Sequence, residues 1–319
     1  MKSVQFPPLL GTLLFAGLLC FYGPAFAAQQ VERQLSVQDS PKLSVKVQRG
    51  QVQILSWDKQ EISVSGTLDE QSEGLVFEQQ GNSITLEDKL PRNAQGHGKK
   101  GSALTIKVPR ELNLTVEGVS ADYRLSTLTG ELDVALVSGS LSAERLAGHS
   151  RLRTVSGDIK SLALAGKSQL DTVSGEIIDD ASTGEISYRL VSGDLDAKSD
   201  ASRIDIEQVS GELHGQFPKV ERLTLKSVSG DSQLSLSAEI LSASLESVSG
   251  DLSLNFSGQT NLGFVIDGGP GGKIVNELSQ DKPVKKKYSP RAELKFQTGK
   301  GRGEMRVSTI SGQVKLGSH

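Results

Sequence analysis

The sequence predicts an all-β protein: a parallel β-solenoid with about 18 residues and two strands per coil, preceded by an N-terminal β cap. Three observations predict this class. The tripeptide Val-Ser-Gly recurs at nearly constant spacing, short segments alternate between apolar and polar residues, and aromatic residues make up only 4 % of the 319-residue chain. A thick globular core usually relies on aromatic side chains, so their scarcity favours a thin aliphatic core.

The repeat defines the coil. Val-Ser-Gly occurs seven times from Val137 to Val248, at a constant interval as far as Val209 and at slightly longer intervals after it. A second series of glycines falls halfway between, at Gly130, Gly148, Gly166 and Gly184. Each coil therefore consists of two similar units, one from each half of the interval, which is the signature of a solenoid.

Each unit has the pattern of a strand followed by a turn. Leucine or isoleucine lies two residues after most repeat glycines, as at Ile159, and an apolar side chain or Tyr188 lies five residues before them. Their neighbours are mostly polar, and such alternation between glycine turns is typical of strands. We expect these side chains to stack inside the coil about 4.8 Å apart.

The valine and the serine of the tripeptide are expected on different sides of the coil. We expect the valines to stack in the core, namely Val137, Val155, Val173, Val191, Val209, Val228 and Val248. We expect the serines that follow them to form a column outside or at the corner. Seven or eight such coils predict a rod about 35 Å long.

The domain organisation follows from where the period holds. We expect a signal peptide over residues 1–27, a β cap region over 28–118, solenoid repeats over 119–258, and a loop or hairpin excursion with a closing rung over 259–319. Residues 28–118 lack the strict period but still alternate, as in Leu43–Val47. Near the end, Met305, Val307 and Val314 match the repeat again around Ile310-Ser311-Gly312.

The first residues predict export. Lys2 precedes a short apolar run that ends in an Ala-x-Ala site, so we expect a cleaved secretory signal peptide. The only cysteine, Cys20, lies inside it. The mature chain would then have neither thiol chemistry nor disulfides, and no later run is long enough for an integral membrane segment. We expect a location in the periplasm or at the cell surface.

The repeats resemble a bacterial β-strand-repeat family of unknown function that is labelled "putative adhesin". The resemblance rests on the serial Val-Ser-Gly-Asp/Glu-Ile/Leu units, on Gly50-Gln-Val-Gln-Ile54, on Ile106-Lys-Val-Pro109 and on Thr309-Ile-Ser-Gly312, and it covers about residues 40–317. It implies a secreted or envelope protein, since family members look like envelope-stress or cell-surface components. The resemblance therefore indicates a cellular location more strongly than a molecular function.

Candidate chemistry is sparse. The four histidines are scattered without zinc-type spacing, and no nucleophile elbow or phosphate loop is present, so we expect no enzyme and no cofactor. One acidic column follows the repeat glycines: Asp158, Glu176, Asp194, Glu212, Asp231 and Asp251. Stacked carboxylates repel by about 1 kcal/mol per pair in water. Either a column of cations such as Ca²⁺ or hydrogen bonds to turn N–H groups could offset that repulsion.

A basic segment lies near the C-terminus. Between Lys282 and Arg306 there are nine basic and two acidic residues, including Lys285, Lys286, Lys287 and Arg291. We expect this end to contact an anionic envelope polymer or lipid headgroups, with a solvated loop as the alternative. The whole chain has 35 basic and 38 acidic residues, which does not favour nucleic acid as a partner.

The predicted function is therefore that of an exported, non-enzymatic β-solenoid with a repetitive binding surface, adhesin-like or a cell-envelope scaffold. Its partner would be an envelope polymer or protein. An alternative is a regulatory partner in envelope-stress sensing in the periplasm. A remote alternative is a polysaccharide-active β-helix enzyme. Such enzymes usually have longer coils with loop excursions and aromatic sugar platforms, whereas this array has short, uniform rungs and few aromatic residues.

Overall fold

A computed structural model describes residues 29–92, 100–285, 288 and 290–318. These residues form strands and no helix, which confirms the all-β class. The predicted signal peptide and two residues of the basic segment, Lys286 and Lys287, lie outside the described residues.

The N-terminal region adds coils to the stack. Its strands are β1 (Gln30–Ser36), β2 (Lys42–Lys46), β3 (Arg49–Trp57), β4 (Glu61–Thr67), β5 (Gly74–Gln80), β6 (Ser83–Lys89), β7 (Ser102–Pro109) and β8 (Asn113–Ser126). Strands β2 and β3 pair in parallel with the two halves of β8. On their other side, β6 and β7 pair in parallel with β2 and β3. Two coils therefore precede β8, in an order that differs from chain order.

The middle of the chain follows the repeat. Its strands are β9 (Thr129–Ser138), β10 (Leu141–Glu144), β11 (Ala147–Ser156), β12 (Ile159–Leu162), β13 (Ala165–Ser174), β14 (Ile177–Ser192), β15 (Leu195–Ser199), β16 (Arg203–Ser210), β17 (Leu213–Phe217), β18 (Arg222–Ser227), β19 (Ser232–Ser237), β20 (Ser242–Ser247) and β21 (Leu252–Ser257). All pairs are parallel and the register follows the spacing of the repeat. Leu141 pairs with Ile159, its equivalent in the next repeat, and Arg203 pairs with Arg222 where the interval lengthens.

The C-terminal region mirrors the N-terminal arrangement. Its strands are β22 (Leu262–Asp267), β23 (Gly271–Asn276), β24 (Val284–Lys285), β25 (Ala292–Gln297), β26 (Gly303–Thr309) and β27 (Ser311–Ser318). The last two strands pair with β20 and β21, and β22 and β23 then pair outside them. The end of the chain is thus inserted between two earlier coils. With two extra coils at each end, the stack is longer than the seven or eight coils expected.

Antiparallel strands occur only at the ends of the described stack. At the first end β4 pairs with β7, β1 with β4, and β5 with β6, all antiparallel. At the other end β25 pairs antiparallel with β22, and β24 with β25. The change of direction interrupts the parallel ladder, so an outer coil does not simply offer its edge to another copy.

The core lies between the two ladders of strands. The inward positions that the alternation predicts are buried, among them Leu152, Leu170, Ile177 and Leu195, each 0 % exposed. The repeat glycines let successive backbones stack at the corner. A Cβ on Gly193 would lie 2.0 Å from the carbonyl oxygen of Gly175, so no side chain fits there without a shift of the backbone.

Candidate functional site

The prediction that the repeat valines stack in the core is wrong. They form an exposed column of residues that are each 43–49 % accessible, which we call the valine column: Val119, Val137, Val155, Val173, Val191, Val209, Val228 and Val248. Ile310, at the equivalent place in the inserted last coil, is 53 % exposed. The serines that follow lie half-buried or exposed, as expected.

The phase of the strand explains this difference. In β11, Ser150, Leu152 and Thr154 are buried, so strict alternation turns Val155 outward. Two residues after the glycine, Ile159 is buried again. The buried positions five residues before and two residues after the glycine are separated by an odd number of residues. Strict alternation would place such residues on opposite faces of the strand, so the alternation must change phase once between them. The change occurs at the Ser-Gly corner, after the valine and not before it.

An open groove runs along the middle of the valine column, with a volume of about 700 Å³. One wall consists of valine side chains. The opposite wall is the next outward position of each strand, two residues earlier, and is charged through most of its length. Between them, buried residues such as Thr172 and Leu190 form the floor. The groove crosses the strands at right angles, because each coil contributes one residue to each wall.

The charged wall, which we call the charged column, alternates in sign from Arg153 onward. It consists of Glu117, Ala135, Arg153, Asp171, Arg189, Glu207, Lys226 and Glu246, which pair in register from strand to strand. Opposite charges are neighbours in the ladder, which favours the stack. Arg189 Nε donates to Glu207 Oε2 at 3.1 Å, and Arg153 Nη2 donates to Asp133 Oδ1 at 2.7 Å.

Asp171 is the most perturbed member of the charged column. Burial beneath the neighbouring side chains raises the pKa of its carboxyl group, against the opposing effect of a hydrogen bond from Gln169. Gln169 Nε2 donates to Asp171 Oδ2 at 2.7 Å, while Asp171 Oδ1 is buried without a hydrogen-bond partner.

The acidic column after the repeat glycines lies on the next side of the coil. Its aspartates accept hydrogen bonds from the backbone of the following coil: Asp158 from Glu176 N at 3.0 Å, Asp194 from Glu212 N at 2.8 Å, Asp231 from Asp251 N at 2.9 Å, and Asp251 from Gln313 N at 2.8 Å. These bonds join the coils and offset the repulsion between stacked carboxylates. In the described residues no group of three or more His, Cys, Asp or Glu side chains could hold a metal ion.

The described part of the basic segment runs along the C-terminal hairpin strands β24 and β25 and ends in β26, which carries Arg306. Lys285 is exposed on β24, and Arg291 lies 3.5 Å from Asp267 through Nη2 and Oδ2. This places the two residues near the last coil and away from the middle of the valine column. No helix in the described chain has the length and apolarity needed to cross a membrane.

A buried polar cluster was not predicted. Asp179 is 1 % exposed, and its Oδ1 accepts from Ser161 Oγ at 2.5 Å and from Ser182 Oγ at 2.6 Å. Its Oδ2 accepts from Tyr188 OH at 2.7 Å. Burial raises the pKa of the Asp179 carboxyl and, together with the nearby carboxylate, that of the Tyr188 hydroxyl. The sequence contains a signal for this cluster: Asp179 occupies an inward position of the repeat, where the neighbouring coils have Ser161 and Ala197.

Comparisons place the chain among known proteins. No curated protein matches it. Similar solved structures include a "putative adhesin" from Parabacteroides merdae, with 12 % identity, 90 % of this chain and 96 % of that chain covered, and a TM-score of 0.49. Another is a "putative lipid binding protein" from Parabacteroides distasonis, with 14 % identity, the same coverage and a TM-score of 0.45. Likenesses at these values carry no argument about function. A family model matches residues 41–265, and the chain belongs to the Toastrack DUF4097 family.

Proposed function

We propose that this chain is an exported, non-enzymatic parallel β-solenoid that presents a repetitive binding surface, as an adhesin-like protein or a scaffold of the cell envelope. The solenoid with two strands per coil is supported by the parallel register of both ladders, in which residues pair with their equivalents in the next repeat. Export is supported by the leader-like segment over positions 1–27.

The valine column is the observation that carries the binding role. Eight valines, each nearly half exposed, form a continuous apolar strip on the order of 600 Å² once summed, at the upper end of what monomeric proteins expose. Selection against aggregation normally removes such strips from a free surface. A strip of this size next to ordered charges is typical of a surface that meets a partner.

The groove favours an extended or flat partner over a small substrate. Its charged side chains are spread along its length, one per coil, and Arg189 is already paired with Glu207. A catalytic site needs groups that converge on one reacting bond. The valine column repeats the same apolar side chain in every coil, which favours many equivalent contacts with a partner that runs along the rod.

A binding experiment with purified full-length chain tests this proposal. The variant Val173→Ser/Val191→Ser should bind isolated envelope material, namely peptidoglycan sacculi and outer-membrane vesicles, at least tenfold more weakly than wild type. Leu162→Ser is the matched control, because Leu162 is 43 % exposed on the other side of the coil. Equal binding by all three proteins contradicts the role given to the valine column.

Protease treatment separates the adhesin-like role from the periplasmic alternatives. Digestion of the protein in intact cells favours adhesion. Protection until the outer barrier is opened favours the scaffold, or the regulatory partner in envelope-stress sensing. Retention of the uncleaved leader in the cytoplasm contradicts export altogether.

A further inference from the structure

The outward side of the long strands carries two more ordered columns beside the charged column. The middle column, four residues before each valine, includes Asp133, Arg151 and Asp205. The outer column, six residues before each valine, reads Glu131, His149, Lys167, Glu185, Arg203 and Arg222 from coil to coil. We call these three columns together with the valine column the valine face.

The charged column is complementary to its own reversed copy. From Arg153 onward its charges alternate strictly through six coils. Suppose that a second chain lies against it in the opposite direction, with a two-fold axis between the coils of Asp171 and Arg189. Asp171 then faces Arg189 of the second chain, and Arg189 faces Asp171 of the second chain. One coil further out, Arg153 faces Glu207 of the second chain.

The other two columns match about the same axis. Lys167 faces Glu185 of the second chain in the outer column, and Arg151 faces Asp205 in the middle column. Further along the outer column, Glu131 faces Arg222. The exceptions are His149 opposite Arg203 in the outer column and Asp133 opposite Thr224 in the middle column. In the charged column they are Ala135 opposite Lys226, and Glu117 opposite Glu246 at its two ends.

The outer column selects this register. Moving the axis by one coil toward the C-terminus keeps the charged column complementary, but it sets Lys167 against Arg222. It also sets Glu131 against Glu304, which continues the outer column in the inserted coil of β26. Moving it by one coil toward the N-terminus sets Glu131 against Glu185 and Glu117 against Glu207. Like-charge contacts of this kind suppress wrong pairings more strongly than opposite charges add affinity.

We propose that the valine face binds a second copy of this chain in antiparallel orientation, valine column against valine column, about a two-fold axis between the coils of Asp171 and Arg189. The proposal rests on the binding role of the valine face, where a second copy and an envelope partner would compete for the same valines. Such an interface is isologous, so every contact occurs twice. Eight coils and the width from the outer column to the valines give about 34 Å by 20 Å. That area is near the roughly 800 Å² per partner of a stable complex.

Two charge-reversal variants test the register. Arg153→Glu alone places Glu against Glu207 twice in each dimer, and Glu207→Arg alone places Arg against Arg153 twice. Each variant should raise the dimer dissociation constant about tenfold or more. An equimolar mixture restores opposite charges at both sites, so dimers should reappear on mixing. The two residues lie three coils, about 14 Å, apart within one chain, so rescue by mixing requires a second copy.

Sedimentation velocity over a concentration series is the measurement. Lys160→Glu is the matched control, since Lys160 is exposed on the opposite sheet and should leave the dimer intact. Circular dichroism confirms that each variant is folded. A wild-type chain that stays single at every concentration overturns the proposal but leaves envelope binding by the valine column to its own test. Variants that remain dimeric alone, or fail to recover on mixing, overturn the register.

Discussion

Two consecutive residues offer a direct test of which side of the strand faces the core. Leu190 is 2 % exposed and Val191 is 47 % exposed, although both are aliphatic and adjacent in β14. Truncating Leu190 to alanine leaves a cavity among stacked side chains, and buried Leu→Ala changes cost about 2–5 kcal/mol. Truncating Val191 to alanine removes methyl groups that are already near water, and we expect a cost of about 0.5 kcal/mol or less.

Urea unfolding followed by circular dichroism measures both costs. The samples should be dilute, because association through the valine face would otherwise add to the apparent stability. Val191→Asp is the stronger version, since a carboxylate at a half-exposed site stays solvated, whereas a carboxylate in the core would be severely destabilising. If Val191→Ala destabilises the chain as much as Leu190→Ala does, the outward assignment of the valine column is wrong.

Three further predictions concern the stack itself. Burial raises the pKa of Asp179, so the folded state favours its protonated form. The stabilisation by protonated Asp179 should be fully present below the ordinary pKa of aspartate and lost as pH rises through the raised pKa. The urea midpoint of wild type should therefore fall with pH in this range, and Asp179→Asn should make this fall smaller. An unchanged pH dependence contradicts the assignment. Gly193→Ala should lower the melting temperature strongly because its Cβ would lie 2.0 Å from a carbonyl oxygen, whereas Gly263→Ala, with no heavy atom closer than 3.8 Å, should be tolerated; similar melting temperatures count against direct stacking. Asp194→Ala should cost about 1 kcal/mol by removing an acceptor from the next coil's N–H, against a near-neutral Glu176→Ala in the same denaturation assay, and two equal costs contradict this joining role.

Much of the fold could be predicted because the repeat encodes local geometry. The spacing of Val-Ser-Gly equals the offset between paired strands, so the parallel register of the middle coils follows from counting residues. The alternation correctly placed Leu152 and Ile177 in the core. The aspartates of the acidic column accept hydrogen bonds from backbone N–H groups, which was one of the two options considered.

The remaining features depend on information that the period does not contain. A repeat shows that the alternation changes phase somewhere in each coil, but the position of that change is set by the glycine corner, and the valines were placed on its wrong side. The inserted coils at both ends pair residues that are distant in sequence, such as Ser242 and Glu304, and no periodic signal marks that pairing. The charged column could not be predicted separately, because its residues lie two positions before the valines and share their outward face.

Crosslinking across the valine face is the most direct test of the central claim, that this face is self-complementary in one register. In a Cys20→Ser background, Val155→Cys and Val209→Cys place single thiols that face each other only in the antiparallel dimer. Within either homodimer the two identical thiols are offset by about 14 Å along the rod. A short bismaleimide should therefore join the two variants when they are mixed, and neither variant alone. Equal crosslinking in all three samples, or none in the mixture, contradicts the account.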